Sequence, residues 1–367
     1  MAGKTPVGRL TKTQREDLKR AKSAMSARYL KGQPALVASM SRSLRAAPGA
    51  ARTHNVVGVG VDEKYVAGAP AGVSVVKFLV KTKIASSALS PSERLPKSID
   101  GIPTDVEEVG LIVPLAKKKA PKKPKSQEPL PNPRIRMRPA QPGSSIGFQV
   151  PNDAFTMAGT FGLLVKDASG RLQILSNNHV LTFENGVETD GTTRVMSEPG
   201  APIFQPGLLD FGSIAIDQIA RLTRWIDLRA DAETNKVDCA IAKPLGKSLV
   251  SKDVLFIGAP KGSAAATKDM VVHKFGRTSL YTAGRVSSVF FDVTVPYEVG
   301  DVMFQDQMAI RGLDGSRFSD GGDSGAAILE RSTNKVVGLL FAGATNGSLS
   351  FANHIGDVFK KLKVRLA

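Results

Sequence analysis

The ten residues Ser319-Asp320-Gly321-Gly322-Asp323-Ser324-Gly325-Ala326-Ala327-Ile328 constrain this chain more than any other stretch. Glycines on both sides of a single serine dictate a tight turn, because glycine adopts left-handed backbone without a Cβ penalty. The apolar residues that follow read as a buried strand. A serine in such a setting acts as a nucleophile if a base takes its proton and backbone N–H groups meet the oxyanion. Such a serine requires a histidine and an aspartate elsewhere in the chain.

The chain has four histidines. His179 lies in Ser176-Asn177-Asn178-His179-Val180-Leu181, where an apolar strand ends and a short turn begins. His273 falls on an alternating strand, His54 precedes a strand and His354 opens a C-terminal helix. Among the intervening carboxylates, Asp238 enters an apolar segment, Asp238-Cys239-Ala240-Ile241-Ala242. A buried carboxylate without a partner is costly, so that position calls for one. The order His179, Asp238, Ser324 is neither the subtilisin nor the α/β-hydrolase order, and Ala326 stands where a hydrolase elbow needs glycine. No His-Glu-x-x-His or comparable ligand spacing is present, so neither a metal nor another cofactor is implied.

The Gly322-Asp323-Ser324-Gly325 string, the Ser-Asn-Asn-His-Val-Leu segment and the Asp238 segment together resemble the three motifs of chymotrypsin-like (trypsin-type) serine peptidases, and in particular a bacterial group of non-secreted members. The likeness covers about residues 145–360 and includes Lys274–Thr278, Thr282–Val286 and Val336–Gly343. It implies a serine endopeptidase with Ser324 as nucleophile, His179 as general base and acid, and Asp238 as the group orienting it. The oxyanion hole would be the N–H groups of Gly322 and Ser324. The specificity pocket would involve Phe318 at its base with Phe341 and Gly343 on its wall. Phe318 in place of a carboxylate implies cleavage after neutral small or apolar residues. Asp323 is expected to hold its loop by hydrogen bonds or an ion pair.

The expected fold is mainly β: two six-stranded antiparallel β-barrels of the chymotrypsin-like type with a C-terminal helix, preceded by a small α/β domain and a basic helical arm. Short strands with turn signals begin at Ser145, and Ile355, Val358, Phe359 and Leu362 give residues 354–364 an amphipathic helical stripe. Upstream, β-branched runs at 55–61 and 73–82, a third strand from Pro103 to Val113, and a short helix near Ser90 outline the small domain. The expected boundaries are 1–53 for the arm, 54–114 for the small domain, 115–144 for a Lys/Pro-rich extended linker and 145–367 for the peptidase domain. The arm carries a helix from Thr13 to Tyr29 with Thr13-Gln14-Arg15-Glu16 as a capping box.

Charge is unevenly spread. Residues 1–50 hold 11 Lys/Arg against 2 Asp/Glu, and 117–138 hold 9 against 1; these excesses account for the whole net charge of +17. The basic character thus belongs to arm and linker. A solvated arm is the plain reading. A peptidase acting on protein or peptide substrates could use the N-terminal region to bind a regulatory partner; the alternative is a catalytically silent scaffold whose arm and linker contact nucleic acid or another acidic partner. Cys239 is the only cysteine, which excludes an intrachain disulfide and favours a reducing compartment, the cytoplasm. Neither a membrane span nor the apolar core of a signal peptide is expected from the sequence.

Overall fold

The structure, a computed structural model, describes residues 10–30, 55–66, 69–115, 130–149, 157–186, 198–230 and 234–367. The chain opens with α1 (Lys12–Tyr29), followed by β1 (Val56–Val66), β2 (Ala69–Val80), β3 (Ser98–Ile99), β4 (Ile102–Glu108) and β5 (Ile112–Pro114). Next come β6 (Ser145–Phe148), β7 (Gly159–Thr160), β8 (Leu163–Asp167), β9 (Leu172–Ser176), α2 (Asn178–Leu181), α3 (Phe183–Gly186), β10 (Pro202–Phe204), β11 (Gln218–Trp225) and β12 (Ala240–Pro244). The last part comprises β13 (Val271–Gly276), β14 (Leu280–Tyr297), β15 (Gly300–Gly312), β16 (Ala327–Glu330), β17 (Val336–Ala344), β18 (Ser350–His354), α4 (Ile355–Leu362) and β19 (Val364–Leu366).

These strands form two curled sheets, so the chain is mainly β with the architecture of a chymotrypsin-like double barrel. One sheet has the order β19-β8-β9-β12-β11-β10-β6-β7. In the other, β13-β16-β17-β18-β15-β14 closes on itself through the β13–β14 pairing into a six-stranded antiparallel barrel, and β14 and β17 run on past it to offer edges to further strands. The alternation along its strands aims apolar side chains such as Val286, Met308, Ile310, Ile328 and Leu340 at a common buried interior. A second apolar cluster, including Leu163, Leu175, Cys239, Leu329 and Leu339, joins the two sheets where they meet. Helix α4 adds Ile355, Val358 and Leu362 to it and stops at Lys363 (φ 50°), and β19 then pairs with β8.

The N-terminal strands extend the second barrel's sheet. β1 runs antiparallel to both β2 and β14, with Val59 opposite Asp292, and β4 lies parallel to β2. The strand expected from Pro103 to Val113 is two strands, because Gly110 (φ 73°) breaks it. Gly60 is required at the crossing: a Cβ there would stand 2.3 Å from the Phe291 ring. Helix α1 begins one residue earlier than the reading from sequence, capped by Thr11 with Gln14 in a reciprocal box rather than by Thr13 with Glu16. It is docked rather than solvated along its whole face. Leu18 and Ala21 are buried, and the Lys22 ammonium is buried between Asp292 (2.5 Å) and Asp306 (2.8 Å). Most of the arm's remaining basic residues, and the lysines of the linker from 116 to 129, lie outside the described residues. From Leu130 to Ser144 the chain is packed, with Leu130 and Met137 on the inter-sheet core.

Candidate active site

The first sheet delivers His179. β9 ends at Ser176, Asn177 stays extended (φ −78°, ψ 159°), and the chain then turns into the single turn of α2, all four residues of which are buried. The turn is pinned from β12's side, since Asn177 Nδ2 donates to the Asp238 carbonyl at 2.7 Å. Asp238 lies just before β12, fully buried. Its Oδ1 accepts from the Asn178 N–H (2.7 Å) and the His179 N–H (3.3 Å), and its Oδ2 from the Tyr297 hydroxyl (2.8 Å). His179 Nδ1 is bonded to that same Oδ2. Every lone-pair direction of the carboxylate is thus used, as a buried charge requires. Tyr297 ends the long strand β14, and its phenol is pushed well up in pKa by burial and then by the Asp238 charge.

On the other side of the imidazole, His179 Nε2 is buried and has no hydrogen-bond partner. The Ser324 hydroxyl is turned to the carbonyl of Phe341, 3.1 Å away. No hydrogen bond joins Ser324 to His179 in this arrangement.

The loop that carries Ser324 is held by two buried ion pairs. Asp323 accepts from the N–H groups of Thr278 (2.8 Å), Ser279 (3.0 Å) and Asp320 (3.0 Å) and pairs with Lys274 at 3.2 Å. Burial alone would raise its pKa, but Lys274 and these donors hold it below the ordinary carboxylate value. Lys274 is lowered by its own burial, which Asp323 only partly offsets. Arg277 forks onto Asp210 with bonds of 2.5 and 2.6 Å. Its Nη1 lies against Gly322 (φ 99°), where a Cβ would come within 2.6 Å of it and within 2.2 Å of Thr278 Oγ1. Gly322 is consequently fixed as glycine.

The Gly322 N–H donates to the carbonyl of Leu115, whose own N–H donates to the Phe341 carbonyl at 3.2 Å. Phe318, 1% exposed, shares an apolar cluster with Leu115, Val286 and Met308, and its ring lies 5.7 Å from Lys274 Nζ. Gly343 faces the Leu115 side chain, since a Cβ there would be 2.9 Å from Leu115 Cδ2. Phe341 contributes through its backbone; its ring is turned into another cluster, 4.7 Å from that of Phe304.

Of the sequence-derived set, His179 and Asp238 are bonded to each other, while Ser324, Gly322, Phe318 and Gly343 lie around Leu115 and the Phe341 carbonyl. Tyr297, Lys274 and Leu115 were not foreseen as part of it. An invariably unfavourable buried lysine on the apolar strand β13 was the one local signal for a partnered Lys274. Tyr297 and Leu115 are brought in by strand pairings that nothing local announces. Glu184 also borders the site: its pKa is raised to about 7, by burial first, against the attraction of His179, while it accepts from the N–H of Glu298 and of Val299. Among the described residues there is no cluster of three or more His, Cys, Asp or Glu able to hold a metal.

No family model matches the chain, and no curated protein matches it in sequence. Solved structures do resemble it. A Nocardiopsis protease, NAPase, is 14% identical over 62% of this chain and 99% of its own, with a TM-score of 0.42. A glutamic-acid-specific serine protease is 16% identical over 62% and 100%, at 0.43. A Cellulomonas bogoriensis chymotrypsin is 14% identical over 62% and 97%, at 0.39. The likeness is one of fold.

Proposed function

We propose that the protein is a serine endopeptidase that hydrolyses peptide bonds through an acyl-enzyme on Ser324. His179 takes the hydroxyl proton and passes it to the leaving amine, Asp238 holds the imidazole by Nδ1, and Gly322 with Ser324 supplies backbone N–H groups to the oxyanion. The observation that carries this reading is the imidazole itself. One nitrogen is locked onto a buried, fully satisfied carboxylate, and the other is buried and left without a hydrogen-bond partner. An unmet buried donor or acceptor costs about 1–3 kcal/mol, a penalty that a proton-transfer role explains and a packing role does not.

The pocket floor supports cleavage after neutral apolar residues. Phe318 offers no anion, and the buried Lys274 behind it would repel a cationic side chain. A lone Cys239, fully buried, fits a reducing compartment, and no described helix is long and apolar enough to cross a membrane. A fluorophosphonate that acylates wild-type protein but not Ser324→Ala, together with hydrolysis of peptides after Leu or Ala, tests the reading. Equal labelling of both chains would overturn it.

The silent-scaffold alternative is favoured by one observation, the Ser324 hydroxyl turned to Phe341. It requires that neither labelling nor hydrolysis occur.

A further inference from the structure

Strand β5 lies antiparallel along the end of β17, with Pro114 opposite Ala342, Val113 opposite Gly343 and Ile112 opposite Ala344. The pairing continues beyond the strand at both ends. Leu115 N–H reaches the Phe341 carbonyl (3.2 Å), and Thr345 N–H reaches the Leu111 carbonyl (2.8 Å). At its C-terminal end the segment places one side chain and one carbonyl where the chemistry proposed above needs them. The Leu115 side chain, 6% exposed, sits against Gly343 and in the apolar cluster floored by Phe318. Its carbonyl oxygen accepts the N–H of Gly322, the donor assigned to the oxyanion, and its N–H shares the Phe341 carbonyl with the Ser324 hydroxyl.

An extended peptide added to a sheet edge, with a side chain in a pocket and its carbonyl in a cradle of donors, is how a protease holds a substrate. Here the peptide belongs to the same chain. We infer that residues Ile112–Leu115 occupy the enzyme's own substrate cleft, and that the bond from Leu115 to the next residue in sequence, Ala116, is a self-cleavage site. The inference rests on the reading of Ser324 as the nucleophile.

The step balances with water as the only co-reactant. After rotating away from Phe341, the Ser324 hydroxyl passes its proton to His179 Nε2 while Oγ bonds to the Leu115 carbonyl carbon. The C–N bond to Ala116 breaks and its nitrogen leaves as an amine, carrying that proton. Water then hydrolyses the ester, leaving Leu115 as a carboxylate and restoring Ser324. Residues 1–115 remain attached without a covalent link, because β1 is paired to β14 and Lys22 is buried against Asp292. This attachment keeps the new C-terminus at high effective concentration over the cleft, so the released segment acts as a tethered product inhibitor. The same occupancy assigns the substrate class: an apolar residue of leucine size before the cleaved bond, preceded by an extended segment that tolerates proline.

The test uses the full chain as wild type, Ser324→Ala and Leu115→Asp, read by intact mass and by hydrolysis of the synthetic peptide Ile-Val-Pro-Leu-Ala-Lys-Lys. The expected result is that wild type separates into 1–115 and 116–367, which co-elute on gel filtration, whereas Ser324→Ala stays whole. Leu115→Asp stays joined at that bond and cleaves the peptide after Leu faster than the processed wild type, because its cleft is less well filled. Peptide hydrolysis by a wild-type chain that remains whole, or is cut only elsewhere, overturns self-cleavage and leaves the peptidase reading standing. Failure of both Leu115→Asp and wild type to cleave the peptide or to react with a fluorophosphonate overturns both.

Discussion

The Tyr297 hydroxyl donates to the same Asp238 oxygen that bonds His179 Nδ1, so the imidazole's carboxylate is supported from the opposite barrel. Tyr297 ends β14 in the second sheet, whereas Asp238 enters β12 in the first. The bond therefore also fixes how the two sheets meet at the site. Hydrogen bonds to charged groups contribute about 1.5–3 kcal/mol, so Tyr297→Phe is expected to lower kcat of the proposed peptidase about ten- to a hundredfold. KM should change little, since Tyr297 does not line the pocket. Steady-state kinetics on a Leu-containing peptide provides the check, and an unchanged kcat would remove Tyr297 from the machinery.

The Lys274–Asp323 pair is fully buried and holds the loop that carries Ser324. Removing one partner of such a pair leaves an uncompensated charge, at a cost of about 3–5 kcal/mol. Lys274→Met is expected to destabilise by that amount in chemical denaturation, and Lys274→Met with Asp323→Asn by clearly less than the sum of the single changes. Additive effects would show that the pair is not coupled.

Glu184 gives a pH dependence with a definite sign. Its pKa is raised from 4.5 to about 7, chiefly by burial, so between those values the folded state binds more protons than the unfolded one. Stability associated with this group is therefore greatest below pH 4.5, falls as the pH rises through 7, and levels off above. The span is about 3 kcal/mol, from roughly 1.4 kcal/mol per pKa unit. Glu184→Gln keeps an acceptor for the N–H groups of Glu298 and Val299 but cannot ionise. Denaturation at a series of pH values should show the variant gaining on wild type from pH 4 to pH 8. A constant difference between them would be incompatible with this titration.

The features that could be read from sequence are those written locally. Ser324 is surrounded by the glycines its turn needs, His179 follows an apolar strand, and Asp238 is a carboxylate that could not be buried alone. The short strands of the two barrels and the stripe of α4 are legible for the same reason, because periodicity is a local property. What was not legible depends on pairings between distant parts of the chain. The N-terminal strands have the pattern of a small domain, yet β1 continues the sheet of β14 some 230 residues later, and an edge strand carries no mark of which edge it joins. The segment Ile112–Leu115 looks like the end of a strand before a linker. Only its register on β17 makes it a candidate substrate. The position of the α1 cap shows the smaller version of the same limit, since Thr11 and Thr13 are both competent cap residues and the helix uses Thr11.

Gly343 offers the sharpest test of the pocket. It lies in β17, where its backbone pairs with Val113 and Ser350, and its lack of a side chain leaves the room that Leu115 fills. A Cβ would stand 2.9 Å from Leu115 Cδ2, and a branched side chain would extend further into the same space. The strand backbone accepts a β-branched residue, so Gly343→Val should fold and keep its place in the barrel. It is expected to exclude leucine while admitting alanine. Hydrophobic pockets discriminate about 10–200-fold per methylene-sized change, so kcat/KM for Leu-containing peptides should fall by about a hundredfold or more. For Ala-containing peptides the fall should be less than about tenfold, because Ser324, His179 and the Gly322 N–H are untouched. The same variant should also slow cleavage between Leu115 and Ala116, since Leu115 itself would no longer seat. Equal losses on both peptides would show that Gly343 acts through the strand rather than through the pocket, and would separate Leu115 from the specificity assigned to it.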